Sequence, residues 1–325
     1  MKKIIYSIFT VLILGLAGCA DSMLDVVVPS LDVTVDTATY DVKIGEEIDT
    51  IICKVGEEVK FNFSGDANYV YFYPGIGLFS NDLVSNTTDG SRYEFRNRTQ
   101  VDNGNVVLTF ANSKANAATK AGSLQLMYST DFGGNLDKDT NLDSIGSATW
   151  TDISNLVTWS TSTSNVTSTL DMNPFKELPI YLAFKFTGDS LLSQYGWNVS
   201  SLVMNHIVPT DQLPYVIWKN ASIPKFGRAS TMPNYVWQFG TTLKINANAA
   251  AHSPYMESWL IVRVDLKAVT PDVALKVKSF SEVTPEFTSY QYWQPGTYTA
   301  TFVSSNASIY GKQEKIKQFV ITVEP

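Results

Sequence analysis

The 325-residue chain predicts an all-β protein, on three observations. Strand-forming residues are abundant: 16 Tyr, 17 Phe and 7 Trp stand beside many Val and Thr. The 19 Gly and 13 Pro punctuate at short intervals, as turns between short strands require. Long stretches with a helical period are missing, whereas short runs alternate apolar and polar residues with the period of a half-buried strand.

The chain opens on a basic Met1-Lys2-Lys3 followed by an uncharged apolar run, Ile4 to Ala17. Fourteen residues are too few to span a bilayer, which takes about 20 in a helix, so the run reads as a targeting leader. Its end, Leu16-Ala17-Gly18-Cys19, resembles the lipobox of bacterial lipoproteins. The resemblance implies removal of residues 1–18 and lipidation of Cys19, which makes a membrane the first partner; several acyl chains hold where one binds marginally. Ala20-Asp21-Ser22-Met23-Leu24-Asp25 is similar to the acidic surface-export signals of Bacteroidetes lipoproteins. That similarity implies an outer-membrane lipid anchor facing the cell exterior, with periplasmic residence as the alternative. Residues 19–40, including Pro29, read as a tether.

Loss of Lys2 and Lys3 with the leader takes the formal net charge from −7 to −9, and no basic block follows. Nucleic acid is therefore excluded as a partner. Once Cys19 is lipidated, Cys53 is the only other thiol, so no intramolecular disulfide forms; Cys53 is expected to be buried in a strand.

Strand by strand, Val59, Phe61 and Phe63 alternate with Lys60, Asn62 and Ser64, and Ile180, Leu182, Phe184 and Phe186 with Tyr181, Ala183 and Lys185. Leu260, Val262, Val264 and Leu266 alternate with Ile261, Arg263 and Asp265. Each run predicts a strand with one buried face. The stretch Val55 to Gly65, followed by Tyr69-Val70-Tyr71-Phe72-Tyr73-Pro74-Gly75, resembles the opening half of a PKD or immunoglobulin-like sandwich. Its closing half is matched far away, by Tyr290 to Phe302 with its Pro295-Gly296 turn and by Phe319 to Val323. The resemblance implies one sandwich built from 41–89 with 269–325; two separate small β-domains are the alternative.

Residues 90–268 then read as an inserted domain. Leu124 to Phe132, Ala148 to Asp152, Pro179 to Phe186 and Gly196 to Val199 occur in an order that resembles galactose-binding-like jelly rolls. With the lipobox and Tyr93-Glu94-Phe95-Arg96-Asn97-Arg98-Thr99, the chain resembles the Bacteroides lipoproteins that carry domain of unknown function 5017. That resemblance implies an Ig/PKD-like sandwich split by a jelly roll, and a protein that binds poly- or oligosaccharide beside an outer-membrane glycan importer.

Catalytic signatures are absent. The two histidines, His206 and His252, stand in no zinc or triad spacing, and no cofactor is expected. Asp137, Asp139, Asn141 and Asp143 place oxygen ligands on alternate residues as a structural calcium loop does, although Leu142 replaces the Gly of an EF-hand; a solvated acidic loop competes with that reading. Pro209 to Gly240 holds four prolines and six aromatics, and long connections of this kind tend to be functional. Sugar rings stack their C–H faces on Trp and Tyr while amide, guanidinium and carboxylate groups take their hydroxyls. Tyr215, Trp218, Tyr235 and Trp237 are accordingly the expected stacking platform, with Asn220, Arg228, Asn234 and Gln238 as polar partners; pinning of the segment onto the sandwich is the alternative. The expected function is non-catalytic glycan binding. Adhesion to protein partners and glycan hydrolysis by an unseen carboxylate pair are the rivals.

Overall fold

In the computed structural model the described residues are 26–36, 41–43, 48–78, 90–115, 123–139, 142–177, 180–188, 196–211, 213–219, 226–232, 235–246 and 256–325. Cys19 and residues 1–18, which the sequence leads one to read as a leader, lie outside them. The chain forms two compact units, one from the residues up to Asn97 together with Pro271–Pro325, the other from Arg98–Thr270.

The first unit opens with strands β1 (Asp32–Val35), β2 (Asp41–Lys43), β3 (Asp49–Lys54), β4 (Glu58–Ser64) and β5 (Tyr69–Tyr73). The second runs from β6 (Asn105–Lys114), β7 (Ser123–Ser129) and β8 (Asp137–Asp139) through helix α1 (Leu142–Gly146), β9 (Thr151–Asp152), β10 (Val166–Asp171) and β11 (Ile180–Gly188). It continues with β12 (Trp197–Ile207), β13 (Tyr215–Lys219), β14 (Phe226–Ser230), β15 (Thr242–Ile245) and β16 (Met256–Val264). β17 (Leu275–Lys278), β18 (Phe287–Gln291), β19 (Gly296–Ser308) and β20 (Gly311–Glu324) complete the first unit. The protein is all-β.

The first unit is a sandwich of sheets β1-β4-β18 and β17-β5-β19-β20-β3-β2. Each sheet joins early strands to late ones: Val59 of β4 faces Tyr290 of β18, and Tyr71 of β5 faces Val303 of β19. β20 also pairs with β3, in parallel. The alternation on β4 does what its period demands, with Val59 and Phe61 fully buried between the sheets. Phe61 lies 5.4 Å from Phe72, 5.0 Å from Phe302 and 5.6 Å from Phe319, a cluster in which each buried ring contributes roughly 1.5–3 kcal/mol. Gly75, just past the end of β5, lies at φ +83°, and a Cβ there would stand 2.6 Å from the Thr299 carbonyl oxygen, so only glycine closes this turn.

The second unit stacks β10-β6-β12-β13, with β15 also paired to β12, against β8-β14-β16-β11-β7-β9. Their facing sides share one core in which Phe110, Phe186, Met204 and Leu260 are buried. The six-stranded sheet is buried on its outer side too, where Ala183, Trp259 and Ile261 pack with Phe132 and with Ile145 of α1. Strands β11 and β16 therefore do not alternate cleanly between core and solvent, as the sequence leads one to expect; the Phe132–Trp150 stretch covers the face predicted to be wet. Ser201 at φ +50° marks a bulge in β12, which lets Trp197–Ser200 pair with β15 and Val203–His206 with β13 along one strand.

Candidate functional site

The expected stacking platform is core. Residues 209–240 are not one long connection: β13 belongs to one sheet of the second unit and β14 to the other, so the segment crosses between sheets and its aromatics fill the space they enclose. Trp237 is fully buried, its ring 6.0 Å from Phe184 and its Nε1 donating to the Ser258 carbonyl. Trp218 is 5 % exposed in the same core. Tyr215 is buried, with its hydroxyl donating to Asp211 at 3.1 Å and accepting from Arg98. Tyr235 packs half-buried against the core, and Arg228 donates from Nη1 to the Trp237 carbonyl at 3.0 Å. Gln238 is exposed and bonds through its backbone to Lys244. Asn220 and Asn234 lie outside the described residues. A sugar cannot stack on buried indoles, so Tyr215, Trp218 and Trp237 form no platform.

The calcium pattern is likewise not a single loop. Asp137 and Asp139 lie on β8, which runs parallel to β14, and Asp143 lies on α1, where its carbonyl accepts from Ser147. Asn141 is outside the described residues. Among the described residues no group of three or more His, Cys, Asp or Glu is placed to hold a metal ion.

The aromatic surface lies instead on the first unit. β5 reads Tyr-Val-Tyr-Phe-Tyr, so Val70 and Phe72 enter the core while Tyr69, Tyr71 and Tyr73 stand on the outer face. Beside them Ser91 bonds by its backbone to Gly75 and Ile76, and its hydroxyl donates to the Val273 carbonyl at 2.6 Å. A 3-10 turn over Tyr93–Phe95 then brings the Tyr93 ring 5.5 Å from Tyr73, edge to face. The Arg96 guanidinium lies 3.7 Å over Tyr93, and its Nη1 donates to the Tyr93 carbonyl at 2.7 Å. Lys312 and Glu314 of β20 complete the rim, 2.5 Å apart.

These residues surround a cleft of about 420 Å³ with Val303 in its floor. That volume falls within the roughly 300–1,000 Å³ of small-molecule sites. Burial pushes the Tyr73 phenol above its ordinary value, against the lowering effect of Arg96, so the hydroxyl remains a donor at neutral pH. Both carboxylates at the cleft are taken: Asp272 by Arg92, and Glu314 by Lys312. The cleft thus offers aromatic faces, hydroxyls and cations, and no free carboxylate pair.

A second cleft, of about 570 Å³, lies on the second unit beside Trp150 and Trp259, whose rings are 5.1 Å apart. Its polar groups are consumed internally. The Trp259 Nε1 donates to Glu257 at 2.6 Å, the Trp150 Nε1 to the Ile145 carbonyl at 3.0 Å, and Lys185 pairs with Glu257 at 3.3 Å. With Trp259 only 3 % exposed, little aromatic face remains for a ligand.

Tyr71, Tyr73 and Tyr93 are not among the residues that the sequence points to as a site. The alternation of three tyrosines on the outward side of one strand was the available signal, because a core-facing strand has no need of hydroxyls there. Residues 29–221 match the family model described as Domain of unknown function (DUF5017), a span that holds these tyrosines and Arg96 but not Asp272, Lys312 or Glu314. No curated protein and no solved structure matches the chain.

Proposed function

The chain belongs to the DUF5017 family, whose description assigns no activity, and from the geometry of the tyrosine cleft we propose that it is a non-catalytic saccharide-binding lipoprotein. The carrying observation is the half-exposed trio Tyr71, Tyr73 and Tyr93 with Arg96 stacked on Tyr93. Pyranose rings present C–H faces to such rings, and their hydroxyls or carboxylates meet the phenols, the guanidinium and the Lys312 ammonium. The pairing of Asp272 and Glu314 with cations favours retention over hydrolysis, since a glycosidase needs one carboxyl free to give a proton and another free to attack or activate water. Lipidation at Cys19 would hold this site on the outer membrane, where an importer for the captured glycan is the expected partner.

Electrophoresis through gels containing different polysaccharides tests the reading. Retardation by at least one polysaccharide is expected, without release of reducing ends. It should be weakened in Tyr93→Ala and Arg96→Ala while their thermal unfolding stays close to the parent's. Free migration in every gel, or retardation unchanged in both variants, would remove the cleft as a saccharide site.

A further inference from the structure

The β19–β20 hairpin ends in two adjacent exposed apolar side chains, Ile309 at 90 % and Tyr310 at 60 % exposure. Nothing in the turn requires them, because it is closed by the Tyr310 amide donating to the Ser308 hydroxyl at 3.1 Å. The tip also outruns its sheet: β5 pairs with β19 only as far as Ser305, and β3 with β20 only from Phe319 onward.

The start of the described chain climbs this hairpin toward its tip. The Leu31 carbonyl accepts from Lys315 Nζ at 2.9 Å, and the Val27 carbonyl accepts from Asn306 Nδ2 at 2.9 Å. Val26 reaches Gly311, coming within 3.9 Å of where a Cβ on that glycine would sit. The segment leading back to Cys19 therefore leaves the unit at the tip itself. Seven peptide steps link Cys19 to Val26 and span at most about 25 Å, so a lipidated Cys19 keeps the tip close to the bilayer.

We infer that Ile309 and Tyr310 seat in the headgroup layer of the membrane that carries Cys19, as a second contact beside the acyl chains. This inference rests on the lipid-anchor reading. A tyrosine suits that layer, its ring apolar and its hydroxyl wet. Val27 and Val28, 75 % and 55 % exposed, extend the apolar surface beside the tip. Two membrane contacts in place of one flexible tether would fix the orientation of the first unit above the bilayer.

The test uses the full chain, expressed with its leader in a lipoprotein-processing bacterium and reconstituted into phosphatidylethanolamine vesicles with a minority of phosphatidylglycerol. Ile309→Cys is labelled with a polarity-sensitive fluorophore, and Val55→Cys, at the β3–β4 turn by the opposite end of β20, is the control. Cys53 is buried and stays unlabelled. The expected result is co-flotation of both proteins, with a blue shift and loss of intensity on brominated acyl chains for the label at 309 alone. Co-flotation with the 309 label as water-exposed as the control overturns the tip contact and leaves the anchor standing. A blue shift that brominated lipid does not quench places the tip against protein, such as a second copy of the chain, and also overturns it. Failure to float removes the anchor reading and the inference together.

Discussion

Arg92 Nε donates to Asp272 Oδ2 at 2.7 Å, joining two buried side chains that stand 180 residues apart in the chain. Asp272 Oδ2 also accepts the Arg92 amide at 2.9 Å, and its second oxygen accepts from Nη2 at 3.3 Å. The pair fixes the start of the turn that carries Tyr93 and Arg96, so the shape of the cleft depends on this buried ion pair. Removal of one partner strands the other charge in a dry site. Asp272→Ala is expected to cost about 3–5 kcal/mol of stability and to weaken saccharide binding with it. Denaturant unfolding measures the loss; a cost below about 1 kcal/mol would mean that Arg92 finds water or another partner.

Substitutions at the two aromatic sets should separate by readout. Trp237→Ala empties a fully buried site and is expected to cost about 3–5 kcal/mol. Tyr93→Ala removes a partly exposed ring and should leave the unfolding midpoint nearly unchanged while weakening binding by about 1 kcal/mol, roughly fivefold. Parallel melting curves and binding titrations on both variants check this. A stable Trp237→Ala with specifically lost binding would restore the second unit's aromatics as the site.

The contrast between these sets shows what the sequence makes legible. Alternation at Val59 and Phe61 marked a strand and its buried face correctly, because both follow from the pleat of one strand. Which sheet a strand joins follows from partners far along the chain, so the prolines and aromatics between Pro209 and Gly240 read as a loop when the segment bridges two sheets. Burial of Ala183, Trp259 and Ile261 on the outer side was hidden for the same reason, since their cover comes from Phe132 to Trp150. The cleft combines Tyr71 with Asp272 and Lys312, neighbours that no local pattern announces.

Stability should fall in mild acid because of His206. The imidazole is fully buried, its Nδ1 3.4 Å from the Ala268 carbonyl, and burial holds its pKa below the ordinary 6.5 against the raising effect of that contact. The nearby charges of Lys176 and Arg98 lower it further. The unfolded chain therefore binds the proton first. The neutral ring's contribution is complete above 6.5 and is lost as pH falls from there through the lower folded value. Unfolding midpoints across this window are expected to slope in the parent and to flatten in His206→Gln; equal slopes would assign the effect elsewhere.

Cys53 should be inert in the folded protein. Burial, reinforced by the nearby negative charge of Glu57, pushes its thiol up to about 11, and the side chain sits 3 % exposed on β3. Alkylation at mildly alkaline pH is expected only after denaturant is added, as mass spectrometry on the native and unfolded protein will register. Rapid modification of the native form would contradict the packing of the first unit.

Saccharide is expected to meet the protein at Tyr71, Tyr73, Tyr93 and Arg96. Calorimetric titration of the best polysaccharide's oligomers into the parent protein and into the double variant Tyr73→Ala/Tyr93→Ala tests it most directly. The expected result is heat of binding in the parent and its loss in the double variant, with folding intact. Equal binding by the two proteins would contradict the claim.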